Sequence, residues 1–232
     1  VERRKLHHDR QPEPRARLGL VEPLAALPQD AALQQHAVIE AHAEALDFDN
    51  GGIAACAAAA NKCLHGAPGL SFVIARRDAV FSAGAQRTVY LDLANACRTQ
   101  DAASTPFTPP VHLAYALAQA LSEFFAEGGW RKRQERYREL GSRVRRGLIE
   151  MGVRPLLPEE ATSVVLSAYR LPDRVTYAAL HDGLKTRGFV IYAGQEKLSQ
   201  EVFRISTLGA VTCEDIDRFL VAFKEIAGRD FL

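Results

Sequence analysis

The sequence predicts an α/β protein: part of a large domain with a mostly parallel sheet over residues 1–105, then a linker, an interdomain helix and a smaller C-terminal α+β domain over residues 106–232. Three observations predict it. Short apolar runs that end in polar residues, Ala37-Val38-Ile39 before Glu40 and Leu70-Ser71-Phe72-Val73-Ile74-Ala75, have the pattern of buried strands. Two long stretches with apolar residues at helical spacing follow a proline-rich linker. Beyond them short strands alternate with helices, the pattern of helices packed on a small sheet.

In chain order, Pro12, Pro14, Pro23 and Pro28 lie among charges and predict a loop over residues 1–30, with at most a short turn around residues 22–27. The run at residues 37–39 is a strand that delivers Glu40 at its C-terminal end, where ligand sites of parallel sheets lie. Residues 51–60 are small and apolar and end at Asn61-Lys62; the turn Gly66-Ala67-Pro68-Gly69 then leads into a strand over residues 70–75, so two strands flank Lys62. Val89-Tyr90-Leu91-Asp92-Leu93 predicts a weaker strand, and residues 104–110, STPFTPP, a rigid extended linker. Leu113, Leu117, Ala120, Leu121 and Phe124 form one face of a helix over residues 111–127 that stops at Gly128-Gly129. A second helix over residues 131–151 carries Tyr137, Leu140, Val144 and Leu148 as its inner stripe. A strand at 163–169, a helix at 177–187, strands at 189–192 and 202–205 and a helix at 213–226 complete the chain.

Composition narrows the function classes. With 47% hydrophobic residues the 232-residue chain can bury a real core. A net charge of +1, from 29 basic and 28 acidic residues, supplies no field for nucleic acid or a membrane surface. The basic cluster Arg131, Lys132, Arg133, Arg136, Arg138, Arg143, Arg145 and Arg146 is interleaved with Glu135 and Glu139, and a Glu139 to Arg143 helical pair makes it a solvated helix face. The four cysteines have neither CxxC nor zinc-finger spacing, which predicts reduced thiols and a cytoplasmic protein. No apolar run approaches the roughly 18 residues of a spanning helix, and the start, VERRKLHHDR, lacks a signal peptide's apolar core. His7, His8 and Asp9 are adjacent in a loop without convergent spacing, so no metal is expected. The chain begins with Val and reads as a fragment.

The chemistry centres on ANKCLHGAPGLSFVIARR, residues 60–77, where Lys62 ends an apolar run. Its amine is expected at the interior end of a sheet, where desolvation favours the neutral form that an aldehyde cofactor requires. This segment resembles the Schiff-base lysine segment of the 2-aminoethylphosphonate:pyruvate aminotransferases, a class V family of fold type I that uses pyridoxal 5′-phosphate. The resemblance continues, in family order, through Pro106-Phe107-Thr108-Pro109-Pro110-Val111-His112, Arg187-Gly188-Phe189-Val190-Ile191-Tyr192-Ala193-Gly194 and Phe203-Arg204-Ile205-Ser206-Thr207-Leu208-Gly209.

By that resemblance the cofactor is pyridoxal phosphate and Lys62 is both its covalent anchor and the catalytic base. Glu40 stands where relatives carry the aspartate that holds the pyridine nitrogen protonated, and its extra methylene exceeds the tolerance of about 0.5 Å typical of a preorganised site. Asn61 joins Lys62 in the cofactor site, and Asn61 and His65 order the lysine loop. Thr108 matches a threonine that reaches the cofactor phosphate from the neighbouring subunit, which implies a homodimer with composite sites. Arg204 matches the arginine that grips the acid group of the substrate, for which a planar fork suits carboxylate or phosphonate. His112 is a cap or packing residue. Ala58 and Ala59 stand where relatives tend to carry hydroxyls, and the family's N-terminal part, with its phosphate-cradling glycine turn, has no counterpart in these residues. The implied reaction takes the amino group of 2-aminoethylphosphonate to pyruvate, giving phosphonoacetaldehyde and L-alanine in phosphonate catabolism. The alternatives are another class V transaminase acting on alanine, serine, glyoxylate or pyruvate, or a remnant without catalysis.

Overall fold

The computed structural model of the protein describes residues 52–82 and 88–228. The strand expected at residues 37–39, its terminal Glu40, and the loop at residues 1–30 lie outside these. Strand β1 (Ala55–Ala59) and strand β2 (Ser71–Ala75) form a hairpin on either side of Lys62, as the turn residues between them foretell. The pairing is antiparallel, with Ala55 opposite Ala75 and Ala59 opposite Ser71, so this pair is not itself a parallel element. Four of the ten strand positions are exposed and none is fully buried; Ala58 and Phe72, with the adjoining Leu70, pack against a small core.

Helix α1 (Arg77–Ser82) and helix α2 (Leu93–Asp101) follow and are tied by an Arg77–Asp101 ion pair. The weak strand expected at residues 89–93 is not formed. Val89, Tyr90 and Leu91 are largely exposed, and Asp92 instead caps α2 by accepting a hydrogen bond from the Asn95 amide at 3.0 Å. A capping aspartate ahead of LANACRTQD outweighs the β-like run before it, because it satisfies a helix donor that a strand would leave unmet. Tyr90 reaches across to Phe107 of the linker, with ring centroids 5.1 Å apart.

Helix α3 (Val111–Ala126) and helix α4 (Gly129–Glu150) meet at a sharp corner. Gly128 and Gly129 both take left-handed φ, 102° and 72°, which side-chain-bearing residues rarely adopt. Leu117 and Phe124 of α3 pack under the hairpin against Ala60 and Leu64, forming a small apolar cluster.

The larger core lies beyond. Strands β3 (Leu166–Arg170), β4 (Tyr192–Ala193) and β5 (Val202–Ser206) form an antiparallel sheet in the order β3-β5-β4. Helix α5 (Tyr177–Lys185) and helix α6 (Cys213–Ala227) cover it together with α4. Leu140, Val144 and Leu148 of α4 meet Tyr169, Phe203, Leu180, Leu184, Phe219 and Phe223 there. Phe203 stacks on Tyr169 and lies 5.7 Å from Phe223, so aromatic rings fill the centre. At the start of α6, Thr212 accepts from the Asp215 amide while Asp215 accepts from the Thr212 amide, a full capping box. Among the described residues no helix is long and apolar enough to cross a membrane.

Candidate active site

Lys62 sits on the hairpin loop, and the loop's own backbone bonds define its shape. Ala60 donates to the Leu70 carbonyl at 3.0 Å, Gly66 to the Ala60 carbonyl at 2.8 Å, and His65 to the Lys62 carbonyl at 2.9 Å. A Cβ on Gly66 would stand 3.0 Å from the Ala60 oxygen, a tight contact, so the close return of the chain favours glycine. His65 has φ 61°, a left-handed bend for a residue with a side chain. The turn drives Cys63 and Leu64 inward, at 7% and 3% exposure, and leaves Asn61 and Lys62 outside.

The exposure of Lys62 corrects the expectation of an interior amine. The described residues supply no apolar enclosure, because the lysine tops a two-stranded hairpin and not the end of a covered sheet. Its ammonium has no hydrogen-bond or ion-pair partner among the described residues, as a covalent anchor for an aldehyde needs.

Helix α4 holds the loop from below. Arg133, only 3% exposed, donates from Nη1 to the Cys63 carbonyl at 2.8 Å and from Nε and Nη2 to Glu127 Oε2 at 3.0 and 2.6 Å. Its guanidinium also lies over the Phe124 ring, 5.3 Å from the centroid. One turn on, the fully buried Tyr137 shares a 2.6 Å hydrogen bond between its hydroxyl and His65 Nε2, with the donor set by the imidazole tautomer. Burial, reinforced by the positive charges of Arg133 and Arg136, pushes His65 below the ordinary imidazole value. Burial pushes the Tyr137 phenol up, so both groups are uncharged near neutrality. The role expected of His65, ordering the loop, agrees with this bond.

The charge pattern predicts a solvated face for Arg133, and its 3% exposure corrects that. Arg133, Tyr137, Leu140, Val144 and Leu148 follow one another at helical spacing on a single buried stripe, which is the signal that places Arg133 inside. Arg136 and Arg143 of the cluster also bond within the chain, whereas Arg138 and Arg146 are exposed. Arg136 donates to the Gly209 and Val211 carbonyls, and Arg143 pairs with Asp217 of α6, not with Glu139 as expected. The local helical pair loses to a bidentate partner across the helix interface.

Arg204 lies on β5 between Tyr192 of β4 and Ala168 of β3 in the cross-strand register. Its Nε donates to the Ala193 carbonyl at 2.8 Å, which fixes the guanidinium plane, and no acidic side chain pairs with it among the described residues. Four residues on, Leu208 packs with Val164 and Val165 against Cys63 and Tyr137, so the chain leaving β5 touches the lysine loop. Thr108 is exposed within the linker, next to Phe107 and two residues before the Pro110 that precedes α3. His112 is exposed and makes no cap, contrary to both roles expected of it, because Pro110 precedes the helix and Leu113 and Ala114 take its inner positions. Ala58 and Ala59 are partly buried on β1. Glu40, His7, His8 and Asp9 lie outside the described residues. Among the described residues no group of three His, Cys, Asp or Glu side chains could hold a metal.

No family model matches the chain. Among curated proteins it is similar to the 2-aminoethylphosphonate–pyruvate transaminase of Aeromonas hydrophila, 41% identical over 183 residues, which are 76% of this chain and 48% of that one. It is similar also to the protein of the same name from Syntrophobacter fumaroxidans, 40% identical over 73% of this chain and 47% of that one. The chain spans about half the length of the curated relatives it matches. Among solved structures, an aspartate aminotransferase from Thermus thermophilus superposes with a TM-score of 0.70 at 28% identity, over 80% of this chain and 52% of that one. A pyridoxamine–pyruvate aminotransferase from Mesorhizobium loti gives 0.72 at 21% identity, over 81% and 50%. These relatives bear out the resemblance read from the lysine segment, and the chain has the fold of the matching half of these aminotransferases.

Proposed function

We propose that this chain carries the lysine-bearing part of a pyridoxal-phosphate-dependent aminotransferase, and that the reaction moves the amino group of 2-aminoethylphosphonate to pyruvate, giving phosphonoacetaldehyde and L-alanine. The observation that carries the proposal is Lys62. Its amine has no partner among the described residues, and it stands on a loop held by its own hairpin bonds and by α4, in a segment whose curated relatives are named 2-aminoethylphosphonate–pyruvate transaminase.

In this reading Lys62 Nζ anchors the cofactor aldehyde, and Asn61, Glu40 and Thr108 contribute to holding it, Thr108 from the neighbouring subunit of a homodimer with composite sites. When bound, pyridoxal phosphate supplies an electron sink conjugated to the reacting carbon. Displaced by the incoming amine, Lys62 Nζ is the base that takes the proton from the donor's amino-bearing carbon. In the second half of the exchange it is the acid that delivers a proton to the acceptor's carbonyl carbon. Arg204, its plane set by the Ala193 carbonyl, presents its Nη atoms to the acid group of the substrate. The division at residue 105 separates the cofactor-holding part from the C-terminal domain that supplies this arginine. The setting is the cytoplasm.

A second reading, another class V transamination with alanine or serine as amino donor and glyoxylate or pyruvate as acceptor, follows from the same arginine, because one guanidinium fork accepts carboxylate and phosphonate alike. Incubating the chain with pyridoxal phosphate and each donor and acceptor pair, and measuring alanine, phosphonoacetaldehyde and glycine, separates the two. Alanine with phosphonoacetaldehyde supports the first reading. Glycine from alanine and glyoxylate, with no turnover of the phosphonate, replaces it with the second, and no product from any pair contradicts both.

A further inference from the structure

We infer that Arg133 and Tyr137 of α4 are positioning residues for Lys62, holding the carbonyl of residue 63 and the imidazole of residue 65 and thereby fixing the direction in which the lysine amine is presented. The inference rests on the proposed role of Lys62 and names what orients it.

Geometry comes first. The two tie points lie one and three residues after Lys62, while the hairpin bonds Ala60 to Leu70 and Gly66 to Ala60 close the loop behind it. Arg133 and Tyr137 are four residues apart on one helix face, so both ties come from a single rigid body. That body is immobilised in turn, since Leu140, Val144 and Leu148 further along α4 lie in the large C-terminal core. The lysine stem is flexible, with four methylenes to order, and only a fixed Cα can confine its amine.

Chemistry points the same way. Burying a guanidinium to 3% exposure is a poor way to stabilise a stripe that elsewhere uses Leu and Val, because the desolvation cost offsets most of the pairing energy. What the charge achieves here is direction. Its rigid fork spends one edge on the half-exposed Glu127 carboxylate and turns Nη1 to a single backbone carbonyl, that of Cys63. An apolar residue could fill the space, but it could not pin that carbonyl. A displacement of about 1 Å in a reacting group can cost up to ~100-fold in rate, so such a pin matters to a covalent anchor.

The test uses the whole chain with Arg133→Gln, Tyr137→Phe and, as control, Arg138→Gln on the exposed face of the same helix. Three quantities are read beside the melting temperature: native-state tryptic cleavage after Lys62, the fraction of pyridoxal phosphate fixed on Lys62 by borohydride, and the visible circular dichroism per bound cofactor before reduction. For Arg133→Gln the expected result is cleavage about tenfold faster, label on Lys62 about tenfold lower and a smaller dichroism per cofactor. Tyr137→Phe, which keeps the ring and loses one hydroxyl, moves all three the same way by roughly threefold and decides the matter if Arg133→Gln fails to fold. Arg138→Gln matches wild type. Wild-type cleavage, label and dichroism in both variants overturn the inference, including the case where only the melting temperature falls. If wild type takes no label on Lys62, the anchor reading of this chain fails, and cleavage alone decides the clamp: faster in the variants supports it, unchanged overturns it.

Discussion

Helix α4 joins two regions that are held in place by different means. On the side of Leu140, Val144 and Leu148, a large apolar core of aromatic and branched side chains packs the three-stranded sheet against α5 and α6. On the side of Arg133 and Tyr137, a hairpin rich in alanine sets its own Ala60 and Leu64 against the buried Leu117 and Phe124 of α3 and is otherwise located by directed polar bonds. Apolar packing is strong but tolerant of small shifts, whereas a hydrogen bond to one carbonyl fixes position at modest net energy. The C-terminal part therefore carries the stability, and the hairpin carries the geometry of Lys62.

The comparison breaks most severely at Phe223, fully buried between Phe203 and Phe219. Phe223→Ala should cost about 3–5 kcal/mol and unfold the C-terminal part, measured by urea denaturation. Arg133→Gln should cost roughly 1–3 kcal/mol, because it removes the charged donation from Arg133 to the Cys63 carbonyl. Hydrogen exchange should then show the loss confined to residues 60–66, with the α5 and α6 amides protected as before. Thr212→Ala removes the capping box of α6 and should lower global stability by about 1 kcal/mol without altering exchange in the lysine loop.

The smallest effect sharpens the contrast by pH. His65 is held below 6.5 by burial first and by Arg133 and Arg136 second, against weaker opposing contributions from Glu127 and Glu123. The unfolded chain takes a proton that the folded loop resists, so loop stability is intact above pH 6.5 and declines as pH falls through and below it. The C-terminal carboxyls behave otherwise. The Thr212 backbone holds Asp215, and Arg143 holds Asp217, below the ordinary 3.8, so their contribution is present above that value and is lost only as pH falls below it. Amide protection factors in residues 60–66 should fall as pH drops through and below about 6.5 while α6 stays protected. Simultaneous loss of both would contradict the separation.

The helices α3, α4 and α6 were legible because their apolar spacing is long and unambiguous, and the lysine loop because Gly66, Pro68 and Gly69 punctuate two apolar runs. Helix α2 was not, since VYLDL reads as a strand until Asp92 is recognised as a cap. The partners of the lysine loop were hidden for a different reason: Arg133 and Cys63 are 70 residues apart, and nothing local distinguishes a buried arginine from its solvated neighbours except its place on the Tyr137 stripe. Arg143 shows the same limit, as its partner Asp217 lies 74 residues away and displaced the pair suggested by helical spacing. Sequence spacing reports which face a residue takes, while the group that it meets there depends on elements brought together only by folding.

The central claim, that Lys62 is the covalent anchor for pyridoxal phosphate, is tested most directly by reducing the chain with borohydride in the presence of that cofactor and mapping the modified peptide by mass. Label on the peptide that carries Lys62, absent from Lys62→Ala, is the result this account predicts. No label, or label spread over surface lysines such as Lys132 and Lys224, would contradict it.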